Sequence, residues 1–482
     1  MNPSPPPVPS LKTERSRPSL LLNDCHSSLN QTQVAEVHEP SNPIELSRCI
    51  ASAASRGLPI ATCGGRHAMG GQQFGREGMA IDCRGLNRLI SLDREQGIVE
   101  VESGITWPEL VSGLLAVQLD TEGPDWTITQ KQTGADELTI GGALAANVHG
   151  RGLQRPPIVS DVESFQMMLA DGNVAECSRT ENPDLFSLAI GGYGLFGVIC
   201  SVKLRLTPRR KVRRVVEVMQ SDELPRMFDE RIRDGFHYGD FQYAIDHESE
   251  DFLRKGVFSC YQPVDDDTPI SEGGPRISGD DWKRLIYLAH VDKSRAFESY
   301  AGHYRKTDGQ IYWSDEHQFT VYQNGYHRDI DTQLGSSTCG GEMITEIYVP
   351  RDELLSFLDA AREGLRSQGG NVIYGTVRLI ERERETFLGW ARQNWACVIF
   401  NLCVRHENAA IRKAQRSFRM LIDAGLERGG SYYLTYHRWA RPDQVEKAYP
   451  QFSDFLQQKR HHDPAERFQS DWYRHYRDVF SG

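Results

Sequence analysis

No stretch of this 482-residue chain comes near the roughly 18 consecutive apolar residues that a membrane-spanning helix requires, so an integral membrane protein is not expected. The proline-rich opening, MNPSPPPVPSLKTERSRPSL, lacks the continuous apolar core of a secretory signal. Residues 1–22 therefore read as a disordered tail, export is unsupported, and a cytoplasmic location is expected. Basic charge is in deficit, with 55 Lys and Arg against 66 Asp and Glu and a net charge of -11. The basic residues do not gather in one place, which excludes nucleic acid as an expected partner. Ten cysteines contain no C-x-x-C pair, so neither a zinc cage nor a disulfide framework is written here, no metal centre is expected, and the thiols read as small core residues in a reducing compartment. The Walker A sequence is also missing, and the glycine-rich loop Gly64 to Gly71 lacks the G-x-G-x-x-G spacing of a dinucleotide fingerprint.

What is present is globular, with 39% apolar and 25% charged residues, and long enough for two large domains. Asn42 to Gly57 reads as a proline-started helix and Leu58–Thr62 as a strand. Short alternating strands follow at 79–82, 88–92 and 98–102, then a helix from Trp107 to Leu115. Further strands near 165–169, 174–177 and 201–206 complete a mixed unit that ends near Pro208. Beyond it the pattern changes. Strand 344–349, helix 352–365, Gly369-Gly370 and strand 371–380 are echoed by strand 397–404, helix 409–426, Gly429-Gly430 and strand 431–436. Two such units in series predict a βαββαβ arrangement, an antiparallel sheet with helices on one face. The fold class is thus α+β in two domains, 23–208 and 209–447, with residues 448–482 packing back on the first.

Three glycine-rich passages fall in the first unit. Gly64, Gly65, Gly70 and Gly71 crowd the loop directly after a strand, where amides unshielded by side chains suit a phosphate. Gly141-Gly142 and Gly191-Gly192 are each followed by small or apolar residues, as needed where backbone must lie close to a flat ligand.

These passages carry a resemblance. Pro59-Ile-Ala-Thr-Cys-Gly-Gly-Arg-His-Ala-Met-Gly-Gly-Gln-Gln-Phe74, Thr139-Ile-Gly-Gly-Ala143 with His149-Gly150, Leu169-Ala-Asp-Gly172, Asn182-Pro-Asp-Leu-Phe186 and Gly192-Tyr-Gly-Leu-Phe-Gly-Val-Ile199 are similar, in order, to the FAD-binding domain of the vanillyl-alcohol oxidase family. The family includes cytokinin dehydrogenases, aldonolactone and alditol oxidases and decaprenylphosphoryl-ribose oxidase. Gly429-Gly430, Tyr449-Pro450, Lys459, Asp463-Pro464 and Phe468 resemble the C-terminal pattern of its sugar-oxidising members.

The resemblance implies FAD as cofactor. It places Gly64, Gly65, Arg66, His67, Ala68 and Gly71 around the pyrophosphate. Thr139, Gly141, Gly142, Asn147, His149 and Gly150 would pass beside the isoalloxazine and phosphates, and Gly197, Val198 and Ile199 would line the adenine side. His67 occupies the position whose imidazole, in covalent members, bonds the flavin 8α-methyl carbon. The other reading of His67 is an imidazole that only hydrogen-bonds a phosphate or a carbonyl. No cysteine lies among residues 134–150, so a second, cysteinyl link is not expected.

On the substrate side, Tyr436 falls where a lysine stands in decaprenylphosphoryl-ribose oxidase, and Arg378 falls on the arginine of a Glu-x-Arg element whose glutamate is here Thr376. Tyr436 becomes a base only if a cation such as Arg378 or Arg438 acidifies its phenol; the other reading is an aromatic wall. His327, in the stretch Gln323–Asp329, is a third candidate. The run Glu381–Glu385 reads as a solvated strand end, and Trp472, Tyr473 and Tyr476 as packing residues. The expected activity is FAD-dependent oxidation of a CH–OH or CH–NH group of a small molecule, with oxygen or another acceptor taking the electrons. The alternatives are a C=C reductase of the sterol side-chain type and a flavin-binding protein without turnover.

Overall fold

Helix α1 (Pro43–Ser55) starts where Asn42 accepts the Glu45 amide, and Gly57, at φ 67°, turns the chain toward the next strand. The computed structural model describes residues 20–270, 273–320 and 325–480. In it, strands β1 (Glu36–His38), β2 (Ile60–Cys63) and β3 (Met79–Asp82) form a parallel sheet in the order β1-β3-β2. Leu46, Ile50 and Ala53 of α1 bury in one cluster with Ile60, Met79 and Ile81. Of the tail, residues 1–19 lie outside the described residues. Leu20–Leu22 is a strand paired antiparallel with Thr32–Val34, so the order of the chain begins before residue 23.

A second, antiparallel sheet contains β4 (Leu89–Asp93), β5 (Ile98–Glu102), β6 (Val162–Met168), β7 (Val174–Ser178) and β8 (Val198–Arg205), in the order β7-β6-β8-β5-β4. Helix α2 (Trp107–Val117) follows β5, and the short helix α3 (Ile140–Ala146) is capped by Thr139, whose hydroxyl accepts the Gly142 amide.

The largest sheet is antiparallel throughout. It contains β9 (Lys211–Gln220), β10 (Tyr238–Tyr243), β11 (Lys255–Val264), β12 (Ile311–Trp313), β13 (Gly340–Pro350), β14 (Val372–Ile380), β15 (Trp395–Arg405) and β16 (Ser431–Tyr432). The order is β12-β9-β11-β10-β14-β15-β13-β16. Its last four strands take the split order of a βαββαβ unit. The final strand is shorter than the sequence predicts, because Tyr433 and Tyr436 turn away to bond Ala146 O and the Glu346 carboxylate.

Strand alternation gives this sheet two unlike faces. Ile347, Val398, Phe400 and Val377 point to one side, where Phe357 of α6 (Leu354–Gln368) meets Phe400 edge-on and α7 (Asn408–Leu426) packs beside it. Burying each such large apolar side chain contributes roughly 1.5–3 kcal/mol. The alternate residues Glu342, Glu346, Asn401, Thr376, Arg378, Asp240 and Gln242 point the other way, toward the glycine passages. On that side a hairpin of α4 (Gly279–Val291) and α5 (Lys293–Lys306), which the sequence pattern did not announce, contacts β9, β11 and β14.

The C-terminal stretch returns to the parallel sheet. Ile60 donates to Arg467 O, Gln469 donates to Ile60 O, and the Trp472 ring stands 4.8 Å from Tyr193. Among the described residues no helix is long and apolar enough to cross a membrane.

Candidate functional site

The glycine passages and the polar sheet face enclose one cavity of about 420 Å³. Its cofactor-side wall includes Gly64, Gly65, Arg66, His67 and Ala68 from the loop after β2. Thr139, Gly141 and Gly142 come from the start of α3, and Gly197, Val198 and Ile199 from the entry to β8. The glycines are sterically required. A Cβ on Gly64 would stand 2.3 Å from Thr139 Oγ1, and one on Gly65 would stand 2.2 Å from Glu137 O. The two loops can close on each other only as bare main chain. Arg66 holds the left-handed φ of 61° while its Nη2 reaches Asp82 Oδ2 at 3.1 Å, a strained conformation of the kind that concentrates at ligand sites.

His67 is clamped. Its Nδ1 lies 2.9 Å from His26 Nε2 and 3.6 Å from Cys25 Sγ, and it also bonds the Glu137 carbonyl. Burial depresses its pKa to about 4, so the imidazole is neutral at physiological pH. A neutral ring keeps one nitrogen lone pair, the form a nucleophile needs. Cys25, His26 and His67 bring ligand-type atoms within 4.8 Å of one another, as do His149, Glu346 and Cys397.

Four residues implied for the cofactor stand back from the cavity wall. Gly71 faces Arg438 and Asn30, and Asn147 caps α3 at φ 46° and accepts the Val159 amide. Gly150 lies against Lys131 O. His149 turns to the large sheet, where its Nε2 meets Glu346 Oε2 at 2.8 Å and its Nδ1 meets Gly150 O at 3.1 Å.

On the opposite wall, Tyr436 and Arg378 both line the cavity. Tyr436 Oη donates to Glu346 Oε1 at 2.9 Å and accepts from Gln132 Nε2 at 3.1 Å. The condition under which this phenol would act as a base, acidification by a neighbouring cation, is not met. Burial and the adjacent Glu346 carboxylate push its pKa well above 10, Arg378 opposes them weakly, and Arg438 is directed to Asp471 O. Burial by itself would raise the Glu346 carboxyl, but the His149 imidazole and the hydrogen bonds from His149 and Tyr348 hold it below its ordinary value. Of the pair, Glu346 is thus the group able to accept a proton and Tyr436 the one that donates. Arg378 bonds Thr133 Oγ1 through Nη2, leaving Nε and Nη1 without a hydrogen-bond partner among the described residues. His327 is buried against Tyr326, with ring centroids 3.8 Å apart, and does not line the cavity, although Tyr326 does. Gln323 and Asn324 of its stretch lie outside the described residues.

Glu346 was missed in the sequence, although a carboxylate inside the apolar strand Met343-Ile-Thr-Glu-Ile-Tyr-Val349 is a signal, since a buried charge persists only when paired. Its register explains its place. Glu346 pairs with Ile399, which pairs with Thr376, so the carboxylate missing at 376 reappears two strands away in the same row.

Bare main chain at Gly64 and Gly65, a buried neutral histidine and a long cavity fit a flat, pyrophosphate-bearing cofactor. Comparison with known proteins agrees. Residues 34–178 match the FAD binding domain family. Mouse (Mus musculus) L-gulonolactone oxidase is 29% identical over 173 residues, covering 36% of this chain and 37% of that protein. Mitochondrial L-galactono-1,4-lactone dehydrogenase of Arabidopsis thaliana is 27% identical over 187 residues, 39% of this chain and 29% of that protein. Cytokinin dehydrogenase 3 of the same plant is 27% identical over 244 residues, 49% of this chain and 43% of that protein. The aligned part is less than half the length of each of these relatives. Residues 34–178 thus form an FAD-binding domain, and over 36–49% of its length the chain is similar to an oxidase and two dehydrogenases.

Proposed function

We propose that the chain is an FAD-dependent oxidoreductase that oxidises a CH–OH or CH–NH group of a small organic substrate held between the glycine passages and the polar face of the large sheet. FAD, when bound, supplies the acceptor for the hydride, and oxygen or another acceptor then takes the electrons. The residues around it handle the proton. A substrate hydroxyl or amine donates to Tyr436 Oη as Tyr436 passes its own proton to Glu346 Oε1. Gln132 fixes the phenol from the other side, and His149 keeps the carboxylate turned toward it. Arg378 offers its open Nε and Nη1 donors to the substrate heteroatom. The observation that carries this proposal is the hydrogen-bonded run Gln132–Tyr436–Glu346–His149, which opens at Tyr436 and Glu346 onto the same cavity as the glycine loops.

Resemblance and a neutral, clamped His67 support a covalent histidyl link to the flavin. Acid precipitation of the purified yellow protein tests it. Colour is expected in the pellet, and in the supernatant for His67→Ala. Anaerobic mixing tests the reaction. Bleaching of the flavin by an alcohol or amine is expected. Bleaching by NADPH alone would point instead to the reductase chemistry, and no bleaching by any of these would leave a flavin-binding protein without turnover.

A further inference from the structure

The cavity extends past Arg378 into a chamber walled by the α4–α5 hairpin, with Trp282, Leu285, Phe297, Tyr300 and Tyr304 facing it. Its polar end is on β10. Asp240 and Gln242 lie on the same face of the sheet as Arg378, because Gln242 pairs with Thr376 and alternate residues share a side. Both line the cavity and are nearly fully buried, 2% and 5% exposed. Gln242 Nε2 donates to Asp240 Oδ2 at 2.7 Å, which fixes the amide orientation and leaves Gln242 Oε1 and Asp240 Oδ1 without a hydrogen bond among the described residues. Arg151 Nη1 forms an ion pair with Asp240 Oδ1 at 3.8 Å, beyond hydrogen-bond reach, and its Nη2 is taken by His317.

Two unmet acceptors in a buried chamber are costly unless a ligand supplies donors. We propose that Asp240 and Gln242 form a subsite for a protonated amine on the end of the substrate remote from its reacting carbon, with the rings of the hairpin holding an apolar body between the two ends. An ammonium brings three N–H donors, where a hydroxyl brings one. Its charge is favoured by the carboxylate and by the aromatic faces, and opposed by Arg151. Asp240 is close enough to Tyr300 and Tyr304 to figure among the charges that raise their phenol pKa values. The row Glu346–Ile399–Thr376–Gln242 crosses four adjacent strands, about 14 Å between its end backbones, which suits a ring bearing groups at opposite positions. The subsite rests on the proposed oxidation only in sharing its cavity.

The test uses the flavin-loaded protein and three probes: 4-(aminomethyl)benzyl alcohol, benzene-1,4-dimethanol and 4-ethylbenzyl alcohol. Binding is read from the flavin difference spectrum and from thermal shift. The amine is expected to bind at least about tenfold more tightly than the ethyl probe, as a charged hydrogen bond warrants. Asp240→Asn is expected to erase that preference while leaving the ethyl probe's affinity unchanged. Gln242→Met, which removes only one acceptor, should reduce it in part. Equal affinities, a preference for the diol, an unaltered preference in Asp240→Asn, or no binding of any probe would overturn the subsite. Amine-selective binding without flavin bleaching would retain the subsite and sink the oxidation, whereas bleaching without selectivity would do the reverse.

Discussion

The two walls of the cavity recognise by different means. The cofactor wall is main chain, left bare by Gly64, Gly65, Gly141 and Gly142, while the facing wall is a tiling of side chains set by strand register. A main-chain wall is a matter of shape: it is spoiled by adding one carbon and indifferent to charge. A tiled wall is a matter of chemistry: it tolerates isosteric exchange in shape and fails when a proton or a charge is removed. Substitutions that separate shape from charge therefore discriminate between them.

The largest effect belongs to the main-chain wall. Gly65→Ala puts a Cβ 2.2 Å from the Glu137 carbonyl oxygen, a backbone atom that cannot swing aside, so the two loops must part. The variant is expected to purify without yellow colour and without measurable activity, checked by the ratio of flavin to protein absorbance. Gly302→Ala in α5, where a Cβ meets nothing within 4 Å, should keep full flavin content and gain up to about 1 kcal/mol from helix propensity. If Gly65→Ala retained flavin, the contrast between the walls would collapse.

Next come substitutions that leave shape intact on the tiled wall. Glu346→Gln keeps volume and hydrogen-bonding reach but removes the proton acceptor, so flavin content should be unchanged while the rate of anaerobic flavin reduction falls by about 10²–10⁴. Tyr436→Phe cuts the same chain one atom earlier and should give a loss of similar size. The double variant should be little worse than either single one, because a relay fails once. Additive losses would mean that Tyr436 and Glu346 act separately.

The same contrast explains what was legible in the sequence. Glycines packed this closely cannot be replaced without collision, so their clustering marked Gly141 and Gly142 as places of close backbone approach, and the resemblance then added Thr139 and the cofactor role. The βαββαβ order was readable because helix stops and strand alternation are local. The tiled wall was not, since Glu346, Thr376 and Gln242 are far apart in the chain and meet only through antiparallel register. Tyr436 and Arg378 were reached through resemblance, but the direction of the Tyr436 pKa depended on a carboxylate 90 residues away. The α4–α5 hairpin, rich in charge and with few buried positions, gave a weak periodic signal although it walls the chamber.

The smallest effect is on stability, and it asks what the tiled wall costs. Glu342 lies on the same face as Glu346, buried, with Asn401 Nδ2 donating to one carboxyl oxygen and Tyr326 Oη 3.3 Å from the other. Among the described residues no basic side chain pairs with it, and burial pushes its pKa up from 4.5 to about 7. The folded state then binds a proton more tightly than the unfolded chain. Its stability is full below pH 4.5, falls as pH rises toward 7 and levels off above. From that shift the loss is at most about 3 kcal/mol. Glu342→Gln keeps the amide shape and removes the titration, so its Tm relative to the parent should be near zero or negative at pH 5 and positive by a few degrees at pH 8. A constant difference across that range would mean that water reaches Glu342 and that this end of the sheet face is solvated, so that its chemical selectivity is confined to the rest of the row.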